Sequence, residues 1–209
     1  MSFLHITTLE KEFQRCLKDM PSWEELLTFL RPFAYLDRKV WGRKRNFVPA
    51  QCAFDVGRLF NHLIICPGLQ FLAFRDGTLT AMLSLLRVRE EYLQKAASWE
   101  ELTETGSLLS HDPEGDIIFA ARLSIDPAAK EAKFPQALIN IPFRETVSRN
   151  GARAACIASE ADPRQIAFFE QEEFSVVRKV QDFLPGGGNN PNARRRDAVL
   201  MTRRSPAFA

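Results

Sequence analysis

The sequence predicts a mixed α/β (α+β) fold, a sheet flanked by helices. Three observations carry that prediction. Leu69–Arg75 and Thr78–Val88 are strand-like runs on either side of Asp76-Gly77, a favoured two-residue hairpin turn. Asp116–Ile125 and Ala152–Ala158 are apolar strands separated by a helical stretch long enough for a crossover. Val176–Phe183 and Asp197–Arg203 are two further strands, joined by the flexible run Gly186-Gly-Gly-Asn-Asn-Pro191.

The elements follow in chain order. Residues 5–19 alternate apolar and charged positions and suit a first helix. Ser22-Trp-Glu-Glu25 is a helix-start signature: Ser caps, Glu three positions on answers it, and the helix should stop before Pro32. Residues 38–50 are basic, end at Pro49 and read as an exposed connection. Phe54, Val56, Leu59, Phe60, Leu63 and Ile64 form a helical stripe, which Pro67-Gly68 breaks. Ser98-Trp-Glu-Glu101 reuses the capping box within the helical stretch 89–102; its flanks do not match the first copy, so it is no internal repeat. Gly106–Gly115 is a loop that delivers the chain to the strand at 116–125. That strand is apolar on both faces, as a covered central strand requires.

Asp126-Pro127 ends this strand. The helix at 133–149 carries Phe134, Leu138, Ile141 and Val147 on one side, and Pro142 inside it should kink or break it. Asn150-Gly151 supplies a left-handed cap. Asp162-Pro163 opens the next helix, with Asp as cap and Pro at the first helical position.

At 209 residues the chain fits one domain with a decorated N-terminus and needs no disulfide or metal staple. Seventeen Phe against two Tyr favour core building and remove candidate phenolic acids. A net charge of +2 argues against a general polyanion binder, so nucleic acid is not an expected partner. Two basic clusters, Arg38-Lys39 with Arg43-Lys44-Arg45 and Arg194-Arg195-Arg196 with Arg203-Arg204, read as solvated loops or strand ends, with a phosphate contact as the competing reading. Cys16, Cys52, Cys66 and Cys156 lack C-x-x-C spacing, so no zinc site or redox pair is expected. With no secretory signal, reduced thiols in a cytoplasmic setting are expected. No apolar run approaches the ~18 residues of a membrane span. The Gly-Gly-Gly-Asn-Asn run lacks the Lys-Ser or Lys-Thr of a phosphate loop.

From residue 69 onward the order β-β-(α)-β-α-β-α-β-β resembles the GNAT (acyl-CoA N-acyltransferase) superfamily over about two thirds of the chain. The Asp76-Gly77 hairpin is similar to the family's second and third strands, and Asp162–Phe174 to its fourth helix. Thr103–Gly106 with His111–Asp116 resembles a loop that some members carry before the fourth strand. The resemblance implies a mostly antiparallel sheet whose one parallel pair splays into a notch, with the CoA pantetheine lying there as an extra strand. It divides the chain into an N-terminal helical extension (1–50) packed on an acyltransferase-like domain (51–209).

The same resemblance implies the site. The notch falls between Leu123–Ser124–Ile125 and Cys156–Ser159, with Ser159 and Glu160 at the end of the second strand. The pyrophosphate would sit on the following helix's N-terminus. There Lys130 takes the family's first motif place, and Lys133 and Pro135 stand where small residues are usual, around Phe134. Pro135 removes an N–H donor and Lys133 adds bulk; either the lysines replace those contacts with charge, or the pocket has decayed. Phe169 stands in the place of the family's proton-donating Tyr, and the usual basic Glu falls near Phe119.

Asp116 and His111 are therefore the candidate proton acceptors, imidazole being suited to base chemistry near neutral pH. Contiguous Ser110-His111-Asp112 cannot form a triad, and His5 and His62 lack partners at useful spacing.

The expectation is acyl transfer, acetyl above all, from acetyl-CoA or another acyl-CoA to an amine of a small molecule or peptide, without a metal. Two alternatives stand beside it: a GNAT-like binding or regulatory protein without turnover, and an acyltransferase fed by acyl carrier protein through the basic cluster at 38–45. The hairpin and last strand offer surfaces for a homodimer.

Overall fold

Asp76 and Gly77 both adopt positive φ, 48° and 78°, which closes the tight turn between β2 (Gln70–Arg75) and β3 (Thr78–Val88). The structure, a computed structural model, describes residues 4–17, 21–41, 52, 54–129, 134–186 and 194–205. Around this hairpin the described residues form a seven-stranded sheet in the order β1-β2-β3-β4-β5-β7-β6. Its other strands are β1 (Leu4–Thr8), β4 (Ile117–Ile125), β5 (Ala154–Glu160), β6 (Ser175–Leu184) and β7 (Arg196–Arg204). The described pairings are antiparallel except β4 with β5. The sheet is therefore mixed, mostly antiparallel and flanked by helices, as the sequence predicts.

β4 is the central strand, and Ile117, Ile118 and Phe119 are all buried. Its register with β3 slips between Ser84 and Leu85, so Ala121 is an additional residue on the β4 side. Such a bulge bends a strand and turns it away from its neighbour. At the entry to β4, Gly115 lies against the Val88 backbone, where a Cβ would meet the Val88 carbonyl carbon at 2.6 Å. Only glycine allows that approach.

The caps read from sequence form. Ser22 and Glu25 make reciprocal bonds at the head of α2 (Trp23–Trp41). Asp55 caps α3 (Val56–Ile65), Ser98 caps α5 (Trp99–Thr103), and Asp162 caps α7 (Pro163–Gln171). α4 (Glu90–Lys95) precedes α5, and Gly151 (φ 64°) follows α6 (Phe134–Asn150).

Three expectations are corrected. Residues 5–19 are not one helix: Leu4–Thr8 pairs along the outer edge of β2, and Thr8 then caps α1 (Leu9–Cys16) through the Lys11 N–H at 3.3 Å. α2 does not stop before Pro32 but runs to Trp41, so residues 38–41 belong to a helix and not to a loop. The lost backbone bond is offset by burying Leu26, Leu30, Phe33 and Leu36. Of the kink or break expected at Pro142, the break does not occur: α6 is one helix through it, and the Thr146 hydroxyl donates to the Pro142 carbonyl at 2.6 Å. Among the described residues no helix is long and apolar enough to cross a membrane.

Candidate active site

The parallel pairing of β4 with β5 is short. It runs from Ile117 opposite Ala154 to Ala120 opposite Ile157 and ends there. Beyond it β4 continues to Ile125 still paired with β3, while β5 continues to Glu160 paired with β7. The facing edges of Ala121–Ile125 and Ala158–Glu160 share no ladder partners, and the divergence begins at the Ala121 bulge. A cavity of about 260 Å³ occupies this place. Leu123 and Ser159 line it from the strands, Ile139 and Phe143 from α6, and Phe169 from α7. Trp41 and Trp99 line it from α2 and α5.

The α2 side of the cavity is held by a buried polar network. Asp37 Oδ2 accepts from Arg122 Nη1 and from the Phe54 backbone N–H, both at 3.0 Å. Asp37 Oδ1 accepts from the Ser124 hydroxyl at 2.9 Å, and that hydroxyl accepts in turn from the Trp41 indole N–H at 2.8 Å. One residue pair further on, Lys39 Nζ donates to Asp126 Oδ2 at 2.6 Å. Alternation along β4 places Arg122 and Ser124 on one face, and α2 presents Asp37 and Trp41 to them. Burial pushes the Arg122 pKa down, and the Asp37 charge opposes that shift. The Arg122 guanidinium also lies over the rings of Phe54 and Trp99, 4.3 and 4.9 Å from their centroids. Trp99 donates its indole N–H to the carbonyl of the bulged Ala121 at 2.7 Å. It thereby satisfies a carbonyl that the bulge takes out of the ladder.

The carboxylate that lines the cavity is Glu160, which ion-pairs with Arg196 beside Gln165. No cysteine nucleophile is poised nearby. Burial pushes Cys156 on β5 up to about 12, and Cys52, over which Arg122 acts only weakly, to about 11. Among the described residues no group of three or more side chains could hold a metal ion.

The structure brings together only part of the set expected from sequence. Leu123, Ser159 and Phe169 reach the cavity; Ser124 supports its wall, and Ile125 ends β4 opposite Ala81. Phe134 begins α6. Lys130 and Lys133 lie outside the described residues, as do Arg43, Lys44 and Arg45.

His111 and Asp116 are not brought to the cavity. Asp116 precedes β4 at the end away from the notch, roughly 16 Å along the strand from Ala121. Its carboxylate accepts from the Glu90 N–H at 2.8 Å and faces Arg153 at 3.0 Å, an anchoring role at the start of α4. His111 Nδ1 accepts from the Arg87 N–H at 3.0 Å, and the ring lines a separate cavity of about 420 Å³. Burial and Arg87 lower its pKa. Both were chosen for their closeness to β4 in sequence, although Asp116 stands at the strand's start and the notch was expected at its far end, by Leu123–Ile125. Asp37, Trp41, Trp99 and Arg122 were missed. The available signal was Arg122 itself, a charge inside an apolar strand, which requires a buried partner.

The bulged central strand, the divergent parallel pair and the cavity between them define the class: the chain has the fold of the GNAT superfamily. Among curated proteins it is similar to the uncharacterized N-acetyltransferase YkwB of Bacillus subtilis (strain 168), 22% identical over 143 residues. That match covers 68% of this chain and 62% of YkwB, less than two thirds of that protein's length. Among solved structures it is similar to the loading GNATL domain of CurA from Lyngbya majuscula (TM-score 0.69, 10% identity, 97% of this chain and 98% of that one). It is also similar to the GphF GNAT-like decarboxylase in complex with isobutyryl-CoA (TM-score 0.67, 15% identity, 96% and 98%). No family model matches the sequence.

Proposed function

We propose that the protein transfers an acyl group, acetyl in the simplest case, from acyl-CoA to the amine of a small molecule or peptide. The observation that carries this reading is the separation of β4 from β5 beyond Ala120 and Ile157, with a cavity at that point. An extended pantetheine arm would add to the free edge of β4 along Leu123, Ser124 and Ile125, as a peptide adds to a sheet edge. Ser159 would face it from β5, and Phe169 would cover it. The pyrophosphate would meet the start of α6 at Phe134, with Lys130 and Lys133 supplying charge. The co-substrate would be acetyl-CoA or another acyl-CoA, like the isobutyryl-CoA bound by the GphF decarboxylase.

The neutral amine attacks the thioester carbonyl carbon. The C–N bond forms, the carbonyl electron pair moves to oxygen, and on collapse the C–S bond breaks with its electrons leaving on sulfur. The amine proton goes to water or to Glu160 and finally to the thiolate. His111 and Asp116 do not face the cavity, and the Phe169 ring carries no acid. Thiolate is a good leaving group, and positioning supplies much of the rate. The free cysteines fit the expected cytoplasmic setting. The last strand, expected to help form a homodimer, is paired on both sides as β7, so a homodimer would use the edge strand β6, where Val176 and Val177 are exposed.

Phe169 favours a second reading, a domain that binds acyl-CoA without turnover. Thiol release from acetyl-CoA across a panel of amines separates the two. Amine-dependent release supports transfer, whereas acetyl-CoA binding without release for any amine supports the second reading. Binding of acyl carrier protein but not CoA would favour the carrier-protein donor instead.

A further inference from the structure

Arg122 is a cation buried within an apolar strand, and its hydrogen bond to Asp37 uses one of its nitrogens. The side chain is 4% exposed and its carboxylate partner 1%. Among the described residues Asp37 is its hydrogen-bond partner, through Nη1 alone. A guanidinium carries five N–H donors. Its other nitrogens are not among the sealed polar atoms that lack a partner, and the residue lines the notch cavity. Arg122 thus brings its guanidinium to the cavity wall, two residues beyond the last β4–β5 pair at Ala120.

The surroundings select what those donors can meet. Asp37 already neutralises the cation, and the Phe54 and Trp99 rings hold the guanidinium in place. A ligand carboxylate would bring a second anion to a single buried cation, which is unfavourable in a site with little water. A carbonyl oxygen brings no net charge, accepts N–H donors, and gains most from them as it acquires charge.

We infer that Arg122 donates to the carbonyl oxygen of the donor's acyl thioester, making it a catalytic residue for uncharged acyl groups. This rests on the acyl-CoA reading given above. As the amine adds to the carbonyl carbon, the electron pair displaced onto oxygen is held by the Arg122 N–H groups. It returns to re-form the C=O bond as the C–S bond breaks. Asp37 is a positioning residue: it fixes the guanidinium and sets the charge of the pair to zero.

The test compares dissociation constants of CoA, acetyl-CoA, S-ethyl-CoA and malonyl-CoA. S-ethyl-CoA keeps the arm but has no carbonyl, and malonyl-CoA adds a carboxylate. The wild type should bind acetyl-CoA about tenfold or more better than S-ethyl-CoA, the scale of one hydrogen bond from a charged donor. It should also prefer acetyl-CoA to malonyl-CoA. In Arg122→Lys, and in the charge-balanced double variant Asp37→Asn with Arg122→Gln, the acetyl/ethyl ratio should fall to about one while CoA itself still binds. A merely structural role would weaken all four ligands together and leave the ratio unchanged, which overturns the proposal. Preference for malonyl-CoA that disappears in the variants also overturns it, because the guanidinium then reads a carboxylate. Failure of the wild type to bind any of the four overturns the acyl-CoA reading as well. A wild-type ratio near one with CoA bound overturns this inference alone.

Discussion

Asp37 and Arg122, 85 positions apart in the chain, meet at 3.0 Å between α2 and β4 as a buried ion pair on the wall of the notch. The pair closes a network with Ser124, Trp41 and the Phe54 backbone, so a change in it is felt by both the fold and the cavity. Removing one partner of a buried pair leaves an uncompensated charge. Asp37→Ala should therefore lower unfolding stability by about 3–5 kcal/mol in urea denaturation. Replacing both by apolar residues, Asp37→Leu with Arg122→Met, should recover most of the loss. A cost under about 1 kcal/mol for the single change would mean that water reaches Arg122.

His62 should make the protein acid-sensitive. Its Nε2 lies 2.8 Å from the Gly106 carbonyl, while Nδ1 is buried without a partner. Burial pushes its pKa from 6.5 down to about 4. The unfolded chain thus takes up this proton first as pH falls. The stability from neutral His62 is fully present above about pH 6.5 and is lost progressively toward about pH 4, a total of about 3 kcal/mol. Urea midpoints at several pH values, compared with those of His62→Gln, would show it. A wild-type curve parallel to the variant's would rule His62 out.

Gly115→Ala tests the entry to β4. The added methyl would meet Val88 backbone atoms at 2.6–2.7 Å, which no side-chain rotation relieves. A loss of about 1–3 kcal/mol is expected, the usual range for overpacking. Gly77→Ala, with open space around its Cβ but φ at 78°, should cost about 1 kcal/mol through backbone strain alone. Equal melting temperatures for Gly115→Ala and wild type would refute the close approach.

Glu160→Gln tests the proposed route of the amine proton. The change keeps shape but removes a proton acceptor, so kcat should fall about tenfold or more with little change in acyl-CoA affinity. Unchanged kcat would assign the proton to water.

These outcomes bear on what the chain discloses before it folds. The hairpin at Asp76-Gly77, the capping box at Ser22, the Ser98 cap and the Asp162-Pro163 helix start all depend on residues within four positions of one another and appear as read, except that Glu101 answers the Ala97 N–H rather than that of Ser98. β1 was not legible, because Leu4–Thr8 becomes a strand only against the outer edge of β2. Neither were the paths of α2 through Pro32 and α6 through Pro142, where tertiary burial outweighs a local breaker. Leu123, Ser159 and Phe169 could be placed in the site from strand and helix order. Asp37 and Trp41 could not, since nothing local ties α2 to the far end of β4.

The central claim is that the gap between Ala121–Ile125 and Ala158–Glu160 holds the pantetheine arm of CoA. Calorimetric titration of CoA into the wild type and into Ala158→Trp, which fills the cavity from β5, tests it most directly. One CoA per wild-type chain is expected, with binding abolished in a variant that still melts cooperatively. No binding to the wild type, or equal affinity in both proteins, would place CoA elsewhere or nowhere and contradict the account.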